Sequence, residues 1–347
     1  MKAIGYQQAG PLSREAALQD LDLATPVATG RDVLVKVQAI AVNPVDYKIR
    51  QNVSPEAGEN KVLGWDAVGE VVSTGEKVTL FAPGDSVYYA GDLTRQGSNA
   101  EYQLVDERLI AQKPKSLSLS EAAAMPLTTI TAWELLFEHL KIAKSKTMQN
   151  ALHETDTTQD VILVVGASGG VGSILVQLIK QLTRATVIAT ASRPETQSWV
   201  KALGADYVVD HSQPLVPQIK SLALPEVTHV ASLTHTASYL GDYVELLKPM
   251  GKIALIDDPD GIDIKALKPK SLSLHWEFMF TRSMFHTHDM IEQHKLLTEV
   301  AELIDRGVIK TTVGKHLGSI NAANLRQAHA LLESGRSIGK IVLEGFE

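Results

Sequence analysis

Residues Val161 to Ser173 read VILVVGASGGVGS, and no other stretch narrows the possible folds as far. An apolar run rich in branched residues, long enough for one buried strand, breaks into a glycine turn that opens a helix. The turn is Ala167-Ser168-Gly169-Gly170-Val171-Gly172, the G-x-G-x-x-G spacing with alanine in first place. Glycines without a Cβ let the backbone approach a pyrophosphate, which then faces the free N–H groups of the helix N-terminus. Such a turn can also serve only to pack a helix on a strand, so its neighbours decide.

Those neighbours alternate. An apolar helix (Val171 to Leu182) leads to TVIATAS, a helix from Pro194 to Leu203, ADYVVD and THVASLT. A helix near Ser238 to Leu247, GKIALIDD and SLSLHWEFMF follow. Strands alternating with helices of this length are βαβ units of a parallel, doubly wound sheet. Counted from VILVV there are six strand candidates, the Rossmann number, which predicts a nucleotide-binding domain over residues 128–281.

The dinucleotide is read from the end of the second strand. A site for NAD places an Asp or Glu about 20 residues past the glycines on the ribose 2′-OH, whereas a 2′-phosphate needs a cation. That position holds Ala191-Ser192-Arg193 and no acid. Arg193 can fork onto phosphate oxygens while Ser192 donates a hydroxyl, so NADPH is favoured over NADH. The alternative for Arg193 is a solvated cap before Pro194.

A chain of 347 residues is long for one core and predicts two domains. The formal charge of -7, with a pI near 5.9 and no basic block, argues against nucleic acid as the main partner. The absence of a long apolar stretch or a signal-like segment predicts a cytoplasmic protein without membrane association. There is no cysteine, hence no disulfide, thiolate nucleophile or thiolate metal ligand.

Ahead of the parallel run the pattern changes. Met1 to Tyr6, DVLVKVQAIAVN, AVGEVVSTGEKV, GDSVYYAG and AEYQLVDERLIAQKP are strand-like between glycine, proline and charged breaks, as in an antiparallel barrel. Ser118 to Phe137 turns helical, and Lys144 to Asp160 reads as a polar connection. Beyond it come helical stretches Met290 to Arg306 and Ala322 to Ser334 and a last strand, GKIVLEGF. That strand would be an orphan alone, so the tail is expected to rejoin the N-terminal domain, with the active site in the cleft between the two domains.

Asn43-Pro44-Val45-Asp46-Tyr47-Lys48, Gly64-Trp65-Asp66-Ala67-Val68-Gly69-Glu70-Val71-Val72, Gly84-Asp85-Ser86-Val87, GASGGVGS and Leu203-Gly204-Ala205-Asp206 occur in that order. Together they resemble the medium-chain dehydrogenase/reductase superfamily, in its quinone oxidoreductase branch, over nearly the whole chain. LKPKSLSLHWEFMFTRSMF and AHALLESGRSIGKIVLEGF resemble a subgroup labelled zinc-type alcohol dehydrogenase-like. The resemblance implies an α/β fold: a GroES-like β-barrel catalytic domain over residues 1–127 and 282–347, and a Rossmann doubly wound parallel sheet over 128–281.

Zinc enzymes of this superfamily carry cysteine where this chain has Asn43, and histidine, within Gly-His-Glu, where it has Gly64-Trp65-Asp66. Both ligands are missing, and a short YYAGDLTRQGSNAEY stands where a cysteine-rich lobe would follow Val87. No metal is therefore expected. His286-Thr287-His288-Asp289 is the remaining ligand-like cluster, and reads better as a polar helix start.

Without a Lewis acid, hydride from nicotinamide goes most easily to a quinone ring carbon or the β-carbon of an enone, where the developing oxygen needs only hydrogen bonds or a proton. By resemblance Asn43 faces nicotinamide and substrate, its alternative being an Asx turn before Pro44. Asp46 orients its neighbours; Tyr47 and Lys48 are candidate donors, Lys48 standing where related reductases often have tyrosine. Thr131 matches a threonine near the carboxamide, with a helix cap as the alternative. Ala167, Ser168, Gly169, Gly170 and Val171 would hold the pyrophosphate. His211 lies where relatives have an aromatic residue near the adenosine phosphate. Leu233 and Thr234 after the fourth strand and Ile256 after the fifth complete the cofactor set. Arg336 and Lys340 would close over the phosphates, unless they are ordinary surface charge. A homodimer formed through SLSLHWEFMF at the sheet edge is expected. Competing functions are an alcohol dehydrogenase acting on alcohols or aldehydes, and an NADPH-binding sensor with little turnover.

Overall fold

The structure is a computed structural model that describes residues 1–145 and 160–346. Most of the polar connection read between Lys144 and Asp160 lies outside the described residues. The strands, in chain order, are β1 (Lys2–Tyr6), β2 (Gln19–Asp22), β3 (Asp32–Val42), β4 (Lys61–Val62), β5 (Ala67–Thr74), β6 (Ser86–Tyr89), β7 (Tyr102–Asp106) and β8 (Ile110–Gln112). Then come β9 (Val161–Val165), β10 (Thr186–Thr190), β11 (Tyr207–Val209), β12 (Val227–Ser232), β13 (Leu247–Leu255), β14 (Ser273–Trp276), β15 (Val313–His316) and β16 (Lys340–Glu344). The chain divides into two compact units, residues 1–130 with 279–347, and residues 131–278.

The first unit is built on β3. One of its sides pairs with β5; the other pairs with β7 along Asp32 to Lys36 and with β16 along Ala39 to Val42. An eleven-residue strand is long enough to serve two partners in succession. The sheet continues in the order β15-β16-β3-β5-β6-β8, and β2-β1-β4 forms a small second sheet. All these pairings are antiparallel except β15 with β16. The tail strand thus pairs with β3, which pins the C-terminal segment to the N-terminal sheet. Helix Pro44–Asn52 leaves directly from the end of β3. Proline in the first turn and an acid at Asp46 are ordinary helix-start signals, and Asn43 stands at the helix N-cap.

The second unit holds a parallel sheet in the order β11-β10-β9-β12-β13-β14. Numbered within the unit this is 3-2-1-4-5-6, the doubly wound order expected from the alternation of strands and helices. β9 is buried along its whole length, as a central parallel strand covered on both faces must be. Helices Gly170–Leu182, Pro194–Ala202, Leu215–Ser221 and Thr236–Leu246 make the crossovers. The third was missed because LVPQIKS is short and carries an internal proline.

Candidate functional site

In the second unit the glycine turn follows β9. Gly166 takes φ +83°, a left-handed conformation that glycine adopts without strain, and its N–H donates to Thr190 Oγ at 3.1 Å. That bond ties the turn to the end of β10. Gly169 precedes helix Gly170–Leu182, and Ser168, Gly169, Gly170 and Val171 are partly exposed at its N-terminus. Ala167 is fully buried, so it contributes backbone only. A Cβ on Gly172 would lie 2.5 Å from the Ala167 backbone, so this glycine lets the helix pack on its own turn. The N–H groups that face outward suit an anion.

The remaining cofactor candidates of this unit collect at the carboxyl ends of the same strands. Ser192 Oγ lies 3.1 Å from His211 Nε2, which joins the ends of β10 and β11. Arg193 stands immediately before helix Pro194–Ala202, half exposed, and reaches Glu195 at 3.4 Å. Burial pushes the His211 imidazole below its usual range, Asp210 opposes this, and the charges of His235 and Arg193 add to it. Leu233 and Thr234 sit against Gly166, with Thr234 Cγ 3.1 Å from the place a Cβ there would occupy. Ile256 N–H donates to Ser232 O at 3.3 Å beside them. His235 was not anticipated. It has φ +54° and meets Thr234 Oγ at 2.7 Å, and only its place after a strand signals it in sequence. Thr131 is buried within helix Pro126–Trp133, which rules out the cap alternative.

In the first unit a different centre appears, dry and charged. Lys340, at the start of β16, is 2% exposed, and its ammonium donates to Asp66 Oδ2 at 2.7 Å, to Val42 O at 3.3 Å and to Asn43 Oδ1. Asn43 Nδ2 donates to the same Asp66 oxygen at 2.8 Å, and Leu127 N–H donates to the other at 2.7 Å. Asp46 Oδ2 accepts the Asn43 N–H at 2.7 Å and so caps the helix start. Burial drives the Asp46 carboxyl up to about 7, against the Asn43 N–H and the Lys340 charge, which pull it down. Burial also raises Asp66, opposed by Lys340 and by the donors that surround it.

Two expectations are corrected here. Lys340 does not reach over a phosphate, because all three of its N–H bonds are spent on acceptors inside the unit. Asn43 does not offer its carboxamide to a ligand, because it is 1% exposed and both ends of its amide are engaged. Tyr47 and Lys48, on the following helix, are partly exposed, and Arg336 is exposed.

The donor set does not fit zinc. Trp65 is fully buried, donates its indole N–H to Asp92 O at 3.1 Å and meets Phe280 edge-on, and an indole is not a metal ligand. Asp289 of the His286 cluster pairs with Arg282 at 3.1 Å in a turn ahead of helix Glu292–Asp305. Among the described residues no group of three or more His, Asp or Glu side chains is placed to hold a metal ion. Among them, too, no helix is long and apolar enough to cross a membrane.

Comparison with known proteins gives two family matches, alcohol dehydrogenase GroES-like domain over residues 29–115 and zinc-binding dehydrogenase over residues 203–343. A zinc-type alcohol dehydrogenase-like protein of Staphylococcus aureus is 40% identical over 344 residues, 99% of each chain. A solved Rhizobium etli structure, provisionally described as a zinc-dependent alcohol dehydrogenase, is 50% identical with a TM-score of 0.94, covering 100% of this chain and 98% of that one. The quinone oxidoreductase of Coxiella burnetii is 25% identical with a TM-score of 0.78 over 99% of each chain. With its GroES-like unit and its doubly wound parallel sheet, this chain belongs to the medium-chain dehydrogenase/reductase superfamily, with zinc-type alcohol dehydrogenase-like proteins among its relatives and a quinone oxidoreductase among its structural neighbours.

Proposed function

We propose that the protein is an NADPH-dependent reductase that works without zinc and passes hydride to the electron-poor carbon of a quinone or an α,β-unsaturated carbonyl. The observation that carries this reading is the pair Asn43 and Trp65. Neither can act as a zinc ligand here, the first because its amide is engaged by Asp66 and Lys340, the second by its chemistry. Reduction of a plain aldehyde or ketone builds alkoxide charge that a Lewis acid would carry; a quinone or enone spreads that charge over a conjugated system and needs less help.

The residues take roles accordingly. The N–H groups of Ser168, Gly170 and Val171 hold the pyrophosphate, while that of Gly169 closes the turn on Gly166 O at 3.2 Å. Ser192 and Arg193 take the 2′-phosphate, with His211 orienting the Ser192 hydroxyl. When bound, the nicotinamide supplies the hydride. Tyr47 and Lys48 are the groups of helix Pro44–Asn52 that supply a hydrogen bond or proton to the developing oxygen. The names of the relatives favour a second reading, alcohol oxidation. β14, the last strand of its sheet, with Trp276 at its end 57% exposed and Phe278 just beyond it 47% exposed, suits pairing with a second copy.

The test is NADPH consumption with 1,4-benzoquinone, 9,10-phenanthrenequinone, enones, aldehydes and ketones, run beside alcohol oxidation. Turnover with quinones or enones and little with aldehydes or alcohols is expected. Alcohol oxidation as the dominant activity would replace this reading with the second.

A further inference from the structure

Two histidines border the glycine turn of the second unit. Ser192 and Arg193 follow β10 and His211 follows β11, while Thr234 and His235 follow β12. In the sheet order β11-β10-β9-β12 these strand ends surround the turn after β9, whose Gly166 bonds to Thr190 on one side and sits against Thr234 on the other. Each imidazole meets a hydroxyl: His211 Nε2 lies 3.1 Å from Ser192 Oγ, and His235 Nδ1 lies 2.7 Å from Thr234 Oγ. Both histidines are exposed, and among the described residues the second ring nitrogen of each has no partner.

We propose that His211 and His235, each paired with its hydroxyl, form a proton-linked clamp for a phosphomonoester, so that a 2′-phosphate binds with uptake of protons and more tightly at low pH. The inference deepens the cofactor reading above and rests on it for the identity of the phosphate, not for the linkage.

The hydrogen bonds supply the reason. In either neutral tautomer an imidazole and its hydroxyl have one outward proton between them, on the hydroxyl or on the second ring nitrogen. The imidazolium has both: its inner N–H donates to the hydroxyl oxygen, the hydroxyl proton turns outward, and the second N–H becomes a further donor. A phosphate dianion accepts from both and selects the charged form.

The charges already in place keep those protons off the empty clamp. Burial lowers the His211 imidazole, Asp210 opposes this, and His235 and Arg193 lower it further. Arg193 itself reaches Glu195 at 3.4 Å. The acid beside His235 is Asp257, which accepts from the Thr236 N–H at 2.8 Å and from the Thr236 hydroxyl. With both rings protonated, Arg193, His211 and His235 repel one another, and a dianion beside them relieves that repulsion. His235 holds φ +54°, a left-handed conformation that a non-glycine residue keeps only where its surroundings fix it.

Calorimetric titration of the full chain with 2′-AMP, and with adenosine as control, in buffers of different ionisation enthalpy counts the protons bound with the phosphate. At pH 7 wild type should take up about 0.5–1 proton per site with 2′-AMP and none with adenosine, as the dianion holds a proton on each ring to about one pH unit higher. The second ionisation of the nucleotide lies near 6, and any proton it gives up is common to all variants. His211→Gln and His235→Gln keep a neutral hydrogen-bonding side chain at an exposed position. Each should remove about half of the uptake, and the double variant all of it. Between pH 6.5 and 8.5 the affinity of wild type for 2′-AMP should fall about fivefold or more, and that of the double variant less than about twofold. Uptake that is absent in wild type, equal in the double variant or equal with adenosine would overturn the clamp, and so would failure of 2′-AMP to bind. Titrations with NADPH and NADH separate the two readings. NADPH preferred over NADH without proton uptake overturns the clamp and keeps the cofactor assignment; uptake on 2′-AMP in a protein that prefers NADH does the reverse.

Discussion

The glycine turn of the second unit and the lysine cluster of the first solve opposite problems. The turn, as the proposed phosphate site, keeps residues adjacent in sequence partly exposed at a helix N-terminus, where the first N–H groups have no partner within the helix. The cluster hides charge, pairing each donor with an acceptor among residues 42, 43, 46, 66, 127 and 340. A site that meets a ligand keeps its hydrogen-bonding capacity free, while a site that shapes its surroundings uses it up. By that criterion Asn43 and Lys340 belong to the frame of the protein, and the residues of the turn to the proposed binding surface.

The largest effect should come from closing the free site by bulk. Gly172→Val puts a Cβ within 2.5 Å of the Ala167 backbone, so the helix must leave its turn. NADPH affinity should fall at least about a hundredfold, together with a lower melting temperature, as measured by fluorescence titration and calorimetry. Arg193→Ala should act on one ligand group alone. It narrows the preference for NADPH over NADH about tenfold and leaves melting within about 1 °C, since a charge-assisted hydrogen bond is worth roughly 1.5–3 kcal/mol and this side chain is half exposed. Unchanged preference would remove Arg193 from the phosphate site.

Asp46→Asn sharpens the comparison from the other side. The Asp46 carboxyl is raised from 3.8 to about 7 in the folded protein, so between those values the folded state holds a proton that the unfolded state has released. Stability therefore falls as pH rises from about 4 to about 7, and the group adds no further slope above that. The variant lacks this group, so its melting temperature should gain on wild type by a few degrees across that interval. A constant difference between the two curves would show that Asp46 titrates normally. The smallest effect is expected from His211→Ala, which removes a partner of Ser192 and should weaken NADPH binding by about threefold without changing NADH binding.

The same contrast governs what could be read from the sequence. The doubly wound sheet was legible because each βαβ unit is local and β9 to β14 are apolar runs punctuated by helices. Ser192 and His211, distant by one such unit, were legible as strand ends. The short edge elements β2, β4 and β15 were not, because QDLD, KV and VGKH carry no alternation. Lys340 reads in the sequence as a cation that closes over the phosphates, and its burial was hidden for a different reason. Lysine is rarely buried unless paired, and its pairing spans most of the chain, which no local pattern records. Asn43 followed it: without Lys340, an asparagine before proline looks like a turn or a ligand.

Hydride transfer without a metal is the central proposal for this protein, and chelation tests it directly. Protein dialysed against 1,10-phenanthroline and EDTA is assayed for NADPH oxidation with 9,10-phenanthrenequinone, with zinc quantified on the same sample before and after. The expected result is less than a tenth of an equivalent of zinc and an unchanged rate, by about the margin that trace metal allows. Zinc near one equivalent that is lost with the activity, and activity that returns when zinc is added back, would contradict it.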